Sequence, residues 1–193
     1  MTGPTDDDIT AEYIGDRPIH NDVVQLVEYQ SIWPEQFQRE AGRIQGALGS
    51  RALSIDHVGS TSVPGLAAKP IIDIALTVAD SADEAAYVPD LEAAGYQLRS
   101  REPGWFEHRL FKGPDGGVNI HLFSRDCVEV ARMIVFRDQL RNNEGDRHLY
   151  ERTKRELASR RWKYVQHYAD AKTEVITTIL NRSEIGNDRP ASE

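Results

Sequence analysis

The sequence predicts an α+β fold, in which helices pack on a small mixed β-sheet and a helical layer follows at the C-terminus. Short apolar runs of strand length alternate with helical patterns over the first two thirds of the chain. The Gly-Pro-Asp-Gly-Gly segment at 113–117 separates two of these runs, which predicts an antiparallel hairpin. From Cys127 onward the apolar residues recur at helical spacing. These three observations favour one mixed domain.

A short β-rich run, Val23–Val27, precedes the first predicted helix. That helix begins near Trp33, where Ser31 is a suitable N-cap, and Gly49 ends it. Its apolar residues recur every three or four positions and predict one buried stripe. The stripe consists of Phe37, Ala41, Ile44 and Leu48.

Five further segments have the composition of strands, and one helix lies among them. The strands are predicted at 52–58, 71–76, 96–99, 105–112 and 118–123. The helix contains Tyr87, Leu91 and Ala94, and Gly95 stands where a left-handed C-cap is expected. Three more helices follow, at 130–142, 149–164 and 169–180.

The two ends of the chain differ in composition from the rest. Residues 1–17 are polar and acidic and are predicted to form a disordered tail, as are residues 184–193. Residues 18–183 have the length of one domain. The N-terminus lacks a signal pattern, and no apolar run approaches the ~18 residues of a membrane span. We therefore expect a cytoplasmic protein with no membrane partner.

Charge and cysteine content exclude several classes of protein. A formal net charge of −8 argues against general nucleic-acid binding, which requires a basic surface to displace counterions. A nucleotide site is compatible with this charge, because it needs only a local positive field. The single cysteine, Cys127, excludes an internal disulfide framework and a cysteine zinc cluster.

The first candidate binding segment is the loop that follows the strand at 52–58. It consists of Gly59, Ser60, Thr61 and Ser62. A glycine and three hydroxyl residues at a strand end can place backbone N–H groups around a phosphate. An ordinary strand-to-helix turn capped by serine or threonine has the same pattern, and residue chemistry alone leaves both alternatives open.

One carboxylate, Asp73, interrupts the apolar strand that follows this loop. A buried carboxylate is costly unless it is paired, hydrogen-bonded or metal-bound, so Asp73 is a candidate metal ligand and catalytic residue. A structural salt bridge to Lys69 or to an arginine is the alternative. Residue 75 shares the face of Asp73 and is alanine, so this strand provides no second acid.

Two further positions could act together with Asp73. His121 becomes a candidate base or metal ligand if its strand lies beside that of Asp73, and a satisfied core histidine is the alternative. Arg137 and Arg141 share a helical face and could reach a phosphate. Such an arginine pair is more commonly a solvated face.

These segments together resemble the GrpB family, also designated UPF0157. The resemblance rests on residues 57–74, 118–122, 136–141 and 168–176. It extends over residues 23–179, nearly all of the predicted domain. The family is described as a predicted member of the DNA polymerase β-like nucleotidyltransferase superfamily, so the resemblance implies a sheet of the nucleotidyltransferase type.

The resemblance also implies roles for individual residues. Gly59–Ser60 matches the Gly-Ser pair that holds nucleotide phosphates in that superfamily, and Asp73 matches the first of the acids that bind two metals. Ala75 departs from the second acid, and His121 stands near the place of the third. Glu107, on another strand, is a candidate substitute. Similar regions occur in dephospho-CoA kinases, although this chain has no Walker segment.

We therefore expect a protein that binds a nucleoside triphosphate with Mg²⁺ and transfers a nucleotidyl group to an acceptor. In this hypothesis Gly59–Ser62 holds the phosphates, Lys69 or Arg137 neutralises their charge, and Asp73 binds the metal. His121 acts as a base or an additional ligand. The alternative is a module that binds a nucleotide or another phosphate compound, or that serves in assembly, and that kept the fold but lost the metal site.

Overall fold

The computed structural model describes residues 6–15 and 18–187, and their strands form two sheets. The strands are β1 (Asp22–Val23), β2 (Ser54–Val58), β3 (Ile72–Val78), β4 (Gln97–Glu102), β5 (His108–Lys112), β6 (Val118–Ser124) and β7 (Arg161–Trp162). Strands β2 to β6 form one sheet in the order β2-β3-β6-β5-β4, and β1 pairs with β7. Strands β3 and β6 are parallel, whereas all other neighbours are antiparallel. The predicted α+β class is confirmed.

Helices cover both faces of the five-stranded sheet. They are α1 (Asp6–Ala11), α2 (Trp33–Leu48), α3 (Val88–Ala93), α4 (Val128–Asn142), α5 (Glu144–Ala158), α6 (Val165–Asp170) and α7 (Thr173–Asn187). Trp33 and Ile44 of α2 and Leu91 of α3 belong to the largest apolar cluster, on one face. On the other face, Val130 of α4 packs with Phe123. Among the described residues no helix is both long and apolar enough to cross a membrane.

Alternation along β3 decides which side chains belong to which face. Ile72, Ile74 and Leu76 point into the large core, as expected for a central strand buried by helices. Ala75 instead belongs to the smaller cluster under α4. Because Asp73 lies two residues before Ala75, it is on this second face, where the C-terminal helices pack.

The C-terminal helices also pack on the loop between β2 and β3. Val63 and Leu66 of this loop are fully buried against Leu140, Tyr150 and Ile179, which come from α4, α5 and α7. This contact brings the loop, one face of the sheet and the C-terminal helices around a common space.

The predicted helix at 149–164 is wrong at both ends. Helix α5 already begins at Glu144, because the Asn143 side chain caps it by accepting from the Asp146 N–H at 2.9 Å. It ends at Ala158, and Trp162 belongs to β7 instead. The partner of β7 is β1, nearly 140 residues earlier in the chain. Similarly, the predicted helix at 169–180 is divided between α6 and α7.

Other predicted boundaries differ for local reasons. The strand predicted at 105–112 begins only at His108, since Phe106 and Glu107 have φ values of +55° and +51°, which no strand residue adopts. The N-cap of α2 is Ile32 and not Ser31, and it makes no side-chain capping bond. By contrast, the predicted hairpin around 113–117 is confirmed by the pairing of β5 with β6.

Part of the N-terminal segment predicted as a disordered tail is ordered. Helix α1 occupies Asp6–Ala11, and the next residues add to the edge of β4. The Ile14 N–H donates to the Arg99 carbonyl at 2.7 Å, and the Arg101 N–H donates to the Glu12 carbonyl at 3.0 Å. At the other end, α7 continues to Asn187, past the predicted start of the second tail. Residues 1–5, 16–17 and 188–193, which belong to the predicted tails, lie outside the described residues.

Candidate functional site

A cavity of about 490 Å³ lies between the second face of the sheet and the C-terminal helices. Strands β3, β5 and β6 provide its floor, and α5, α6 and the residues after α6 provide its opposite wall. Ser60 and Thr61 of the loop after β2 lie at its edge, and Tyr13 of the N-terminal segment also lines it. Its volume is that of a site for a small ligand.

Lysine is the most unusual feature of the cavity lining. The chain has five lysines, and four of them line this one cavity: Lys69, Lys112, Lys154 and Lys172. Arg99 adds a fifth cationic side chain, whereas Asp73 is the one carboxylate among the lining residues. A chain with a net charge of −8 thus places most of its lysines around one small space. The cavity is positive where the protein as a whole is negative.

Asp73 is held at the floor by its neighbour on β6. Asp73 and Asn119 are direct partners in the parallel β3–β6 pair. The Asn119 Nδ2 donates to Asp73 Oδ1 at 2.9 Å, and His121 Nε2 lies 3.7 Å from the same oxygen. Burial opposes ionisation of Asp73, but the contacts with His121 and Asn119 and the charge of Lys172 outweigh it and lower the pKa. Asp73 is therefore an ionised acid.

Two lysines face Asp73 without pairing with it. Burial lowers the pKa of Lys69 and of Lys172, and the charge of Asp73 opposes this shift in both. Among the described residues, neither ammonium group has a carboxylate within 4.0 Å. The charge of Asp170, which does not line the cavity, also acts on Lys172. Among the lining residues, however, Asp73 is the one carboxylate for several cations, so positive charge is in excess there.

Lys154 is the most buried of these lysines, with 2% of its surface exposed. Its ammonium group donates to the Ala67 carbonyl and lies 4.9 Å from the centre of the Tyr150 ring. Burial, together with the charge of Lys172, lowers the pKa of Lys154 to about 7. Its charge therefore changes near neutral pH.

Many hydroxyl and N–H groups of the loop predicted to hold phosphates already donate to carbonyl groups of the protein. The Ser62 hydroxyl donates to the Gly59 carbonyl at 2.6 Å, and the Thr61 hydroxyl donates to the Ile71 carbonyl at 3.1 Å. The N–H groups of Ser62 and Val63 donate to carbonyls of the same loop. Ser60 and Thr61 line the cavity, whereas Gly59 and Ser62 do not. Half of the predicted loop site thus faces the cavity.

Arg137, predicted to neutralise phosphate charge, does not line the cavity. Its guanidinium group donates to the His57 carbonyl at 3.1 Å and to Asp138 at 2.8 Å. Arg141 likewise donates to the Ser62 carbonyl at 2.7 Å. Arg137 thus joins α4 to β2, and Arg141 joins α4 to the loop after β2, so their position indicates a structural role.

The described residues do not form the two-acid metal site that the resemblance implies. They contain no group of three or more His, Cys, Asp or Glu side chains that could hold a metal ion. Ala75 is packed in the apolar cluster under α4. Glu107, the candidate substitute, pairs with Arg109 at 3.2 Å and does not line the cavity. Asp73 alone could bind a magnesium ion that ligand phosphates also hold, since Mg²⁺ accepts one protein carboxylate in such sites.

Sequence reasoning missed four of the five cavity cations, Arg99, Lys112, Lys154 and Lys172. They lie on β4, on β5, on α5 and between α6 and α7, and their local sequences resemble those of solvated faces. One signal was present in the composition, because lysine is rare here compared with arginine. A small number of lysines that come from distant segments is therefore a signal that they could share one site.

The comparisons with known proteins agree on one family. The model of the family described as GrpB protein matches residues 23–182. A UPF0157 protein of Halalkalibacterium halodurans is 55% identical over 182 residues, which cover 94% of this chain and 93% of that protein. The crystal structure of the conserved protein GrpB from Enterococcus faecalis has a TM-score of 0.67 and 32% identity, and covers 82% of this chain and 96% of that one.

Part of the chain also matches a larger protein. A dephospho-CoA kinase of Mycolicibacterium paratuberculosis is 45% identical over 89 residues, which cover 45% of this chain and 22% of that protein. The similarity is therefore to one segment of the kinase.

Proposed function

The chain belongs to the GrpB family, and from that premise we propose that it binds a phosphate-containing small molecule, such as a nucleotide, in the lysine-lined cavity. The observation that carries this proposal is the convergence of four of the five lysines on one cavity with a single carboxylate. Phosphate is the common biological anion that such a concentration of charge would suit.

The electrostatics of the lysines support the same proposal. Burial lowers the pKa of Lys69, Lys154 and Lys172, which means that desolvation destabilises their charged forms. A bound anion would stabilise these charged forms by Coulomb attraction in a partly desolvated site. The cationic lining therefore favours a ligand with several negative charges.

Buried polar atoms of the lining residues point to a ligand with hydrogen-bonding groups. Arg99 Nε, Asn119 Oδ1 and Tyr168 Oη are buried and have no hydrogen-bond partner among the described residues. Buried polar groups in proteins are nearly always paired. Since one of these atoms accepts and the others donate, a nucleotide or a phosphorylated sugar fits better than inorganic phosphate.

A second candidate function is nucleotidyl transfer, and one observation favours it. The loop after β2 touches Asp73, since a Cβ atom at Gly59 would lie 2.5 Å from Asp73 Oδ2. The two predicted motifs therefore meet at one place, although the second acid is missing. In this function Mg²⁺ would supply charge stabilisation at phosphorus, with Asp73 as its protein ligand.

Calorimetric titration of the full chain tests both candidates. The ligands are ATP, GTP, CTP, UTP and inorganic triphosphate, each with and without Mg²⁺. Dephospho-CoA is included because part of this chain is similar to a segment of a dephospho-CoA kinase. Binding of a nucleotide without Mg²⁺ supports the proposed function, and failure of every ligand to bind overturns it. Binding that strictly requires Mg²⁺ favours the second candidate.

Lysine variants connect any binding to the cavity. Lys69→Met and Lys172→Met should each weaken binding about tenfold or more, the effect of losing a charge-assisted contact. Lys163→Met is the matched control, because Lys163 is the one lysine that does not line the cavity and it pairs with Asp6 instead. Equal affinities of the three variants would place the ligand elsewhere.

Asp73→Asn distinguishes the two candidates directly. If the cavity only binds an anion, removal of the single negative charge leaves the affinity unchanged or increases it. If Asp73 binds the metal in nucleotidyl transfer, the same substitution abolishes the effect of Mg²⁺ on binding and any transfer of label from α-labelled nucleotide.

A further inference from the structure

The cavity extends across four strands of the large sheet. Its lining includes Asp73 on β3, Asn119 on β6, Lys112 on β5 and Arg99 on β4. These strands are successive neighbours, so Asp73 and Arg99 are three strand spacings apart, or about 14 Å. They therefore mark two ends of the cavity, which we call the Asp73 end and the β4 end.

The opposite wall of the cavity follows α6. Lys172, just after α6, is near the Asp73 end, because its charge acts on the Asp73 carboxylate. Val165, the first residue of α6, lies seven residues earlier, or about 10 Å away. Both line the cavity, and so does Tyr168 between them. Helix α6 thus leads away from the Asp73 end to another part of the lining.

The N-terminal segment joins the start of α6 to β4. The Asp6 carboxylate of α1 lies 3.2 Å from His167 Nε2 and pairs with Lys163, so it contacts residues on both sides of the start of α6. Further along this segment, Tyr13 pairs with Ser100 of β4 and lines the cavity. The start of α6 therefore lies at the β4 end.

Positive charge is concentrated at the Asp73 end. The charge of Asp73 acts on Lys69 and on Lys172, and the charge of Lys172 acts in turn on Lys154. These three ammonium groups are therefore close enough to act together on one group of a ligand. Under the proposed function, the phosphates of the ligand bind at this end.

The β4 end has a different lining, which is mainly aromatic and aliphatic. Tyr13 contributes a ring, and Val165 contributes aliphatic surface. Leu110 of β5, the partner of Ser100 on β4, contributes to the floor there. Such a surface suits a flat ring, which gains from the burial of its apolar faces, better than it suits a phosphate group.

Arg99 provides a hydrogen-bond donor at this end. Leu98 and Ser100 pair with consecutive residues of β5, so Arg99 is the extra residue of a β-bulge, a feature that redirects side chains. Its Nη2 donates to the Gln97 side chain, but its Nε is buried and has no hydrogen-bond partner among the described residues. Buried donors are nearly always paired, so this N–H is available to a ligand.

Building on the proposed function, we infer that the β4 end binds the base of a nucleotide whose phosphates lie at the Asp73 end. Arg99 Nε donates to a carbonyl oxygen or ring nitrogen on the edge of the base, and the Tyr13 ring contacts its face. An extended nucleoside diphosphate or triphosphate reaches from one end to the other, whereas a sugar phosphate is too short. Arg99 is therefore a specificity-determining residue, which distinguishes nucleotides from other phosphate compounds.

Calorimetric titration of the full chain without Mg²⁺ tests this inference. ATP, GTP, CTP and UTP are each compared with inorganic triphosphate, which has the phosphates but no base. We expect the preferred nucleotide to bind the wild type about tenfold or more tightly than triphosphate, since it adds a charge-assisted hydrogen bond and a stacked ring. In Arg99→Met this preference should fall to about twofold or less, with the affinity for triphosphate unchanged.

Three further variants serve as controls and as a second test. Lys69→Met should weaken the binding of nucleotide and of triphosphate by similar factors, because it acts at the phosphates. Arg132→Met removes an arginine of α4 that does not line the cavity, and it should leave both affinities unaltered. Tyr13→Leu keeps an apolar side chain but removes the ring, so it should reduce the preference for nucleotide even if Arg99→Met does not fold.

Two kinds of failure are distinguishable in these titrations. If neither a nucleotide nor triphosphate binds, the proposed function fails, and the base site fails with it. If both bind the wild type equally well, or if Arg99→Met weakens both to the same extent, the phosphate site stands and the base site is overturned.

Discussion

Gly59 and Asp73 approach each other so closely that a Cβ atom at position 59 would lie 2.5 Å from Asp73 Oδ2. Gly59 also has a φ of +69°, in the left-handed region where a side chain is strained. The contact explains why a glycine ends β2 and how the loop and the acid share one site. It also fixes the place of the carboxylate on the cavity floor.

We expect Gly59→Ala to lower the free energy of unfolding by about 2–4 kcal/mol, since strain in φ and steric overlap both contribute. Urea unfolding of wild type and variant measures this difference. Gly65→Ala is the matched control, because Gly65 has a similar φ of +76° but nothing within 4 Å of its added Cβ. The control should lose only about 1 kcal/mol. Equal losses would mean that the Asp73 contact is not tight.

Lys154 should make stability depend on pH above neutrality. The unfolded lysine holds its proton to about pH 10.4, whereas the folded one loses it near 7. The unfolded state therefore binds more protons in this range, and the free energy of unfolding rises with pH. Between pH 7 and 9 the gain from this group should be about 2 kcal/mol. Lys154→Met should lack this gain, and parallel pH profiles of the two proteins would contradict the assignment.

His57 should act in the acidic range. It is buried against the Phe37 ring, with centroids 4.7 Å apart, and burial lowers the pKa of His57 to about 4. Between pH 6.5 and 4 the imidazole of His57 binds a proton in the unfolded chain but not in the folded protein. The free energy of unfolding therefore falls as the pH is lowered. The loss should be about 3 kcal/mol.

The matched measurement is thermal or urea unfolding of His57→Phe over the same pH range. This variant preserves the stack on Phe37 and has no titrating group, so its unfolding free energy should change less between pH 6.5 and 4. A wild-type profile that matches that of the variant would show that His57 does not contribute.

Asn119→Asp should turn the cavity floor into a better metal site. The substitution replaces the Nδ2 donor to Asp73 by a second carboxylate at 2.9 Å, and two such acids suit Mg²⁺ or Mn²⁺. We expect the variant to be less stable than the wild type without metal, because the carboxylates repel each other. Its Tm should rise with millimolar Mg²⁺ by several degrees more than that of the wild type. An equal response of the two proteins would contradict the prediction.

Local patterns of the sequence determined much of the fold. The period of apolar residues located α2, the turn residues at 113–117 located the β5–β6 hairpin, and Gly95 stands after α3 with a φ of +94°. These features depend on neighbours in the chain, which a sequence displays directly. The same alternation placed Asp73 and Ala75 on one face.

Only the tertiary structure decided where distant segments meet. It ended α5 because β7 pairs with β1, and it ordered the acidic N-terminal segment on β4. In the folded protein Arg137 donates to a backbone carbonyl. Four lysines line the same cavity as Asp73, namely Lys69, Lys112, Lys154 and Lys172. A charged residue that lines a cavity and a charged residue that faces solvent can have the same neighbours in the sequence. The difference arises from burial by residues far away in the chain, and burial exists only once the chain has folded.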